Sequence, residues 1–408
     1  MSAYTVAEGD TFEDISRKQF GSVDKASSII ASNPGAFNPP TPGTTLVIPK
    51  TTVPNVPKGA KPGVASLVID GEKFIGWKEI RFTRSMDSFG EFSFNSVWEP
   101  DNKSFRDTFR PFKYQSVAVF EGDELLFNGT MIDVNPNLSS TERTIEASGY
   151  SIPGVINDCT PPVSALPLEG DVQDLKQIAG ALLDPFGINL EFEGEPGPTF
   201  DREAINPTDR ILNYLIKLAK QRKLIITDTP EGACRFHTET ETGNPVAVIN
   251  DGDPGILSIR PQFGTQDYYS HVSGQGSTFF ALVGADAGSA YTVVNQRLSG
   301  ILRPFTFKPD DTVFGDTKSA VEAKAGRMFA GAVVYAMSVI SWRDPNGNLW
   351  KPNTTVRIKA PGAMIYESYE FLIRSVTYRR TDTEETAILS LVPPGVFKGK
   401  IPESLPWD

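Results

Sequence analysis

Two long stretches of this sequence alternate apolar and polar residues with a period of two, and a stretch with helical spacing separates them. In the first, Ile80 and Phe82 are spaced by two, and turn signals such as Asp70-Gly71 divide the runs. Alternation of this kind is typical of antiparallel strands, whose successive side chains point to opposite faces. The second stretch repeats the pattern at residues 256–260, 334–342, 355–359, 370–378 and 386–392. The sequence therefore predicts a mainly β protein with α+β parts, with a small barrel or sandwich on each side of the helical segment.

Residues 155–250 are expected to form a small α/β insert. An apolar stripe with helical period predicts a first helix after Asp171, and Asn206-Pro207 is a typical start for a second. The stripe consists of Leu175, Ile178, Ala179, Leu182 and Leu183. Beyond the insert, residues 279–300 are rich in Ala, Gly and Ser and are expected to be a loop, and a further helix is expected to begin at Asp316.

The first fifty residues predict a β-α-α-β order. A strand is expected at Tyr4–Val6 and another at Thr44–Pro49. Between them, Gly9-Asp10-Thr11 forms a turn whose acid and hydroxyl suit a helix N-cap, and Asn33-Pro34-Gly35 ends the second helix. Residues 51–63, rich in Pro, Gly and Lys, are expected to be an extended linker.

The turn at Gly9, the Asn33-Pro34 pair and the closing Leu46–Pro49 strand resemble a LysM module. Modules of that family bind N-acetylglucosamine polymers such as peptidoglycan, in a groove between two loops. The resemblance implies a carbohydrate site at Gly9, Asp10, Thr11, Phe12, Asn33 and Pro34. Some modules of this shape serve only as protein-docking units, so both roles are open for these residues.

Composition limits the other functions that the chain can have. The net charge of −11 argues against broad nucleic-acid binding, because phosphate contacts need Lys and Arg. There is no apolar run long enough for a membrane span and no signal peptide. Cys159 and Cys234 are expected to be reduced and structural, as in a protein made in the cytoplasm. Two cysteines and two histidines do not make a disulfide framework, a zinc site or a cysteine-peptidase site, and no cofactor, no metal and no catalytic residue is predicted. His237 and His271 are expected to be structural.

The last third of the chain carries an Ala-rich helix with Arg327, a hairpin with two tryptophans, and two closing strands. The hairpin positions are Trp342, Gly347, Leu349, Trp350, Pro352 and Asn353, and the strand positions are Leu372, Ile373, Val376, Tyr378, Leu389, Leu391, Pro394 and Phe397. Together with the strand pattern of residues 80–94, these features resemble the baseplate hub proteins of Mu-like contractile phages, and the resemblance covers residues 64–400. We expect both tryptophans to pack in the core.

The hub resemblance implies a non-enzymatic structural protein of the virion tail baseplate, assembled in the host cytoplasm. It implies a homotrimer with two related β-barrel domains per subunit, joining a hexameric tail tube protein to a trimeric central spike protein beside other baseplate subunits. DNA is then only passing cargo. The domains expected are a LysM module at 1–50, a linker at 51–63, a first β-barrel at 64–154, the α/β insert at 155–250 and a second β-barrel at 251–408.

A different function stays open on the residues alone. A peptidoglycan-targeted cell-wall hydrolase of the glycosidase type needs only two carboxylates, and the chain has 50 Asp and Glu residues. No local motif singles out such a pair.

Overall fold

The computed structural model describes residues 2–20, 23, 25–33, 35–48, 54, 57, 63–163, 169–275, 290–298, 300–309 and 317–408. The chain divides into two compact units. Unit 1 comprises Met1–Phe82, Phe89–Ile216 and Thr227–Phe236, and unit 2 comprises Thr83–Ser88, Lys217–Ile226 and His237–Asp408. Most of the expected linker lies outside the described residues.

Unit 1 begins with the β-α-α-β order expected from the sequence. The elements are β1 (Ser2–Thr5), α1 (Phe12–Phe20), α2 (Ala26–Ser32) and β2 (Thr45–Ile48). β1 and β2 are antiparallel, with Ala3 opposite Val47. Their small core buries Val6, Phe12, Ile15, Ile29, Leu46 and Ile48.

A run of antiparallel strands follows in unit 1. The strands are β3 (Ala65–Ile69), β4 (Glu72–Phe74), β5 (Trp77–Ser85), β6 (Glu91–Val97), β7 (Ser116–Glu121), β8 (Glu124–Leu138) and β9 (Arg143–Ser151), with the short helices α3 (Lys103–Thr108) and α4 (Val155–Asp158). They form a large sheet in the order β4-β3-β7-β8-β9-β6-β5. Asp70 and Gly71 both have positive φ in the tight turn between β3 and β4, as the Asp-Gly signal predicted.

The insert contains short strands around two helices. Its elements are β10 (Glu169–Gln173), α5 (Leu175–Leu183), β11 (Leu190–Phe192), β12 (Phe200–Ala204), α6 (Ile211–Gln221), β13 (Ile225–Asp228) and β14 (Cys234–His237). The predicted apolar stripe of α5 is buried, and Asp174 caps this helix through the Gln177 N–H. The start expected for α6 is wrong, since the Asn206 carboxamide accepts the Thr208 N–H in a local turn and the helix begins at Ile211.

The strands of unit 2 form a larger and a smaller sheet. Its elements are β15 (Ala247–Asn250), β16 (Ile256–Phe263), β17 (His271–Gln275), β18 (Ala290–Val294), β19 (Pro304–Phe307), α7 (Thr317–Ala332), β20 (Val333–Val339), β21 (Thr355–Ala360), β22 (Ile365–Thr381) and β23 (Glu385–Val392). The larger sheet has the order β16-β20-β23-β22, with β21 beside β22 and parallel to β15, and the smaller has the order β18-β17-β19. The helix α7 packs on the smaller sheet, where Val321 and Ala325 meet Val272.

Unit 2 corrects the loop that the sequence predicted at residues 279–300 and confirms the burial of the two hairpin tryptophans. The loop expected at residues 279–300 is wrong over Ala290–Val294, which forms β18, while residues 276–289 and the expected helix start at Asp316 lie outside the described residues. Both tryptophans of the hairpin are buried as expected. The Trp342 indole N–H donates to the Arg379 and Thr386 carbonyls at 3.1 and 3.0 Å, which satisfies its polar atom in the core.

Candidate interaction surfaces

The first predicted sugar-binding loop keeps its side chains inside the N-terminal module. Gly9 is exposed in the turn, but the Phe12 ring is completely buried in the core. Thr11 caps α1, since its hydroxyl accepts the Asp14 N–H at 3.1 Å. The main chain at Gly9 is therefore the part of this loop that is open to a ligand.

Asp10 stabilises the same turn from within. Its buried carboxylate accepts hydrogen bonds from the Tyr4 hydroxyl at 2.7 Å and the Ala7 N–H at 2.9 Å, and it pairs with the Lys18 ammonium. The hydrogen bond from Lys18, followed by those from Tyr4 and Ala7, lowers the Asp10 pKa to about 2. This carboxylate is ionised and fully occupied by internal donors.

The second predicted loop has the same character. The Asn33 carboxamide donates to the Ile29 and Val47 carbonyls and accepts the Val47 N–H at 2.7 Å, which ties the end of α2 to β2. Pro34 lies outside the described residues. The sequence did not single out Phe37, whose side chain is 77% exposed and is the large apolar group that this part of the module presents to solvent.

The helix α2 contacts the α/β insert within unit 1. The Ser32 hydroxyl donates to the Pro185 carbonyl at 3.4 Å, and the Lys25 ammonium donates to the Asn189 carboxamide. Pro185 belongs to the short 3-10 turn Asp184–Phe186 that follows α5. One face of the N-terminal module is thus already occupied by its own chain.

The cysteines and histidines are held in structural settings. Burial raises the pKa of the Cys234 thiol, and burial together with Asp158 raises that of Cys159, so both stay protonated and are poor nucleophiles. The buried His237 ring bonds the Met86 carbonyl at 2.8 Å. Within the described ranges, no group of three or more His, Cys, Asp or Glu side chains is placed to hold a metal ion. In that same part of the chain, no helix is long and apolar enough to cross a membrane.

An apolar cavity of about 230 Å³ lies in unit 2 beside the C-terminal segment. Phe263, Tyr268, Met364, Leu405 and Trp407 are among its lining residues. The segment beneath it is fixed by Arg297, which pairs with the Asp408 carboxylate at 2.5 Å. Its lining offers little for the recognition of a polar ligand.

Comparison with known proteins gives matches in the two regions that carry the insert and α7. Residues 154–238 match the second domain of the gp44-like baseplate hub proteins, and residues 316–400 match the fourth domain of the Mu phage baseplate assembly protein GpP. The chain is 21% identical over 329 residues to the baseplate hub protein gp44 of Escherichia phage Mu, covering 78% of this chain and 84% of that protein.

Solved structures with the same fold come from phage tails and secretion systems. The 43 kDa tail protein of prophage MuSo2 from Shewanella oneidensis matches with a TM-score of 0.68 and 22% identity over 81% of this chain and 98% of its own. An E. coli component of the type VI secretion system, described as similar to the T4 tail proteins gp27 and gp5, matches with a TM-score of 0.51 and 10% identity over 82% of this chain and 79% of its own.

The fold is therefore similar to that of solved phage tail and secretion-system proteins. The sequence matches are similarities to the gp44-like and Mu-like phage baseplate hub proteins, and they agree with the hub resemblance over residues 154–238 and 316–400. Neither domain match reaches the first fifty residues.

Proposed function

We propose that this protein is the structural baseplate hub of a Mu-like phage tail. The observation that carries the proposal is the pair of hub-domain matches in one chain, joined by a fold that matches a phage tail protein over 98% of that protein's length. The settings of Cys159, Cys234 and His237 also favour a structural role over a catalytic one. The protein then resides in the virion tail baseplate after assembly in the host cytoplasm.

In this role the chain forms a homotrimer that joins the hexameric tail tube to the trimeric central spike and continues the DNA channel. Successive antiparallel strands in each unit support two β-barrel domains per subunit, at residues 64–154 and 251–408, flanking the insert at 155–250. Six such domains in a ring match six-fold symmetry on one side, while three chains match three-fold symmetry on the other. Mass photometry and electron microscopy of the purified protein with its tube and spike proteins test this directly. Three-fold particles with a central channel are expected, and a monomer in the presence of both partners contradicts the proposal.

The N-terminal module, residues 1–50, is proposed to be a LysM-like unit that docks within the baseplate. The side chains of Asp10, Phe12 and Asn33 are used internally, and α2 already contacts the insert. Both observations favour docking over peptidoglycan binding. Sugar binding through the main chain of Gly9 is the competing role.

A pull-down of the full chain on purified peptidoglycan separates the two roles. Since the Asp10 and Phe12 side chains are used inside the module, substitutions there are expected to destabilise it, and a loss of binding would not identify a contact with sugar. Phe37→Ala changes an exposed side chain and is the informative variant. If the module docks within the baseplate, the wild-type chain is not retained on peptidoglycan. If the wild type is retained and Phe37→Ala weakens that retention, the module binds sugar instead.

A further inference from the structure

The strand β16 leaves one edge of the larger sheet of unit 2 open among the described residues. It is the terminal strand of that sheet and pairs only with β20. The Gly264 N–H donates to the Ala332 carbonyl. In an antiparallel pair every second residue is hydrogen-bonded to the partner strand, so Gln262 and Arg260 face β20 with their main-chain groups. The main-chain groups of Ile259, Pro261 and Phe263 then point away from β20. No residue of β16 is buried, although five of its eight are apolar. Such an edge is a template for another strand.

The outer half of β8 leaves a second open edge, in unit 1. Its pairing with β7 reaches only Thr130 opposite Ser116, followed by a bond from the Met131 N–H to the Gln115 carbonyl. Beyond that point β8 pairs with β9 alone among the described residues. The Ser139 N–H donates to the Glu142 carbonyl of the β9 side. Every second residue before Ser139 is therefore hydrogen-bonded to β9, and the main-chain groups of Val134, Pro136 and Leu138 point away from it.

Both open edges place apolar side chains on the buried face of their sheets. Val134 and Pro136 stand opposite the buried Ala147 and Ile145 of β9, and Ile259 and Pro261 stand opposite the buried Met337 and Tyr335 of β20. Val134, Ile259 and Pro261 are half-buried and Pro136 is exposed, so each edge carries incompletely covered apolar side chains on the buried face of its own sheet. Joining the edges continues both buried faces without interruption.

Their charges also match. Asp133 and Arg260 are exposed neighbours of Val134 and Ile259, and no ion pair is formed by either within the described part of the chain. An antiparallel pairing that sets Val134 opposite Ile259 also sets Asp133 opposite Arg260, where opposite charges across strands are favourable. In each edge a proline nitrogen faces outward and has no hydrogen to donate, so the proposed pairing lacks one donor at Pro136 and one at Pro261.

We propose that β8 of one copy pairs antiparallel with β16 of the next copy, so that the hub subunits close through a continuous sheet. The contact is heterologous, with two different surfaces meeting, and such contacts generate rings when the rotation closes. This inference rests on the proposed trimer and names the surfaces that form it. A second copy is the occupant because one chain carries both complementary edges.

Charge reversal tests the pairing by mass photometry of the purified full chain. Asp133→Arg or Arg260→Asp alone is expected to weaken assembly roughly tenfold or more, since like charges then face each other across the contact. Combining both substitutions restores the attraction, and assembly is expected to return. Asp382→Arg, an exposed change in the turn between β22 and β23, is the control and should leave assembly unaltered.

A cysteine pair makes the outcome independent of affinity. Asp133→Cys with Arg260→Cys, treated with a short bis-maleimide, is expected to yield covalent dimers and trimers, while each single variant does not. If the wild type forms trimers, the two single reversal variants assemble equally well and the cysteine pair gives no cross-link, the edge pairing is wrong and the hub proposal stands. If the wild type stays monomeric with tube and spike proteins present and the cysteine pair gives no cross-link, both proposals are wrong.

Discussion

Gly326 marks the closest approach of α7 to the C-terminal segment. A Cβ at this position would lie 2.0 Å from the Val396 carbonyl oxygen and 3.1 Å from the Gly399 Cα. Because the obstacle is main chain, it cannot rotate away. We expect Gly326→Ala to destabilise the fold by about 1–3 kcal/mol, as overpacking does.

Gly331 in the same helix provides the matched control. Nothing lies within 4 Å of a Cβ added there, so Gly331→Ala is expected to stabilise the helix by up to about 1 kcal/mol. Urea denaturation of the two variants measures both effects. Equal stability of the variants contradicts the close packing of α7.

Asp10 gives the N-terminal module a defined response to pH. Its pKa in the folded protein is lowered to about 2, below its ordinary value in an unfolded chain of about 3.9. The stabilisation is therefore complete above the unfolded value and fades as the pH falls toward 2. Asp10→Asn removes the charge that binds Lys18.

Hydrogen exchange of residues 2–20 in the full chain measures this effect. At neutral pH, Asp10→Asn is expected to exchange faster than the wild type, and the difference should shrink as the pH approaches 2. Glu13→Gln, an exposed change on the same helix, controls for lost charge. Equal exchange in Asp10→Asn and wild type at neutral pH contradicts the internal role of the carboxylate.

Individual residues were only partly predictable. The sequence located the turn at Gly9-Asp10-Thr11 and its capping role, because short-range capping has a local signature. It did not show that Asp10 and Asn33 bond β1 and β2 neighbours rather than a ligand. Those partners, Tyr4 and Val47, are defined only once the small core has formed.

At the scale of elements, the contact of α2 with the Asp184–Phe186 turn predicts a local coupling. Deletion of residues 1–50 removes the donors from Ser32 and Lys25, so exchange of the Leu183–Asn189 amides is expected to rise. Peptides from β20 serve as the internal reference and should not change. Unaltered exchange at Leu183–Asn189 means that the module does not rest on the insert in solution.

Strands and hairpins were predicted well where the turn chemistry was local. The Asp70-Gly71 turn, β6 and the apolar stripe of α5 follow from spacing and from residues that favour tight turns. The pairings β10 with β12 and β15 with β21 were not predicted. Each pairing joins strands that are not consecutive in the sequence, so no short turn between them predicts it. The strand β15 is also parallel to its partner, which a hairpin cannot produce.

At the scale of the whole molecule, the division of the chain could not be read from the sequence. Thr83–Ser88 lies among the first set of strands but belongs to unit 2. There the Met86 N–H donates to the Arg374 carbonyl, and the Arg374 guanidinium pairs with the Asp87 carboxylate at 3.0 Å. Asp87 and Arg374 are 287 residues apart in the sequence. The spacing of apolar residues predicts local elements and carries no information about contacts over such a separation.

The assembled hub is expected to have a channel wall with more acidic than basic side chains. The chain carries 50 acidic and 39 basic residues. In the proposed role, DNA passes through the channel of the trimer and should not be retained there. Lys and Arg in the wall would bind phosphates and release counterions, which holds DNA more tightly as salt falls. A wall with excess carboxylates repels the duplex over a Debye length of about 10 Å at 0.1 M salt. The electrostatic potential of the trimer, calculated from an electron microscopy structure of the tail, decides the sign. A wall that is positive by several charges contradicts this expectation, and it also requires another explanation for the acidic balance of the chain.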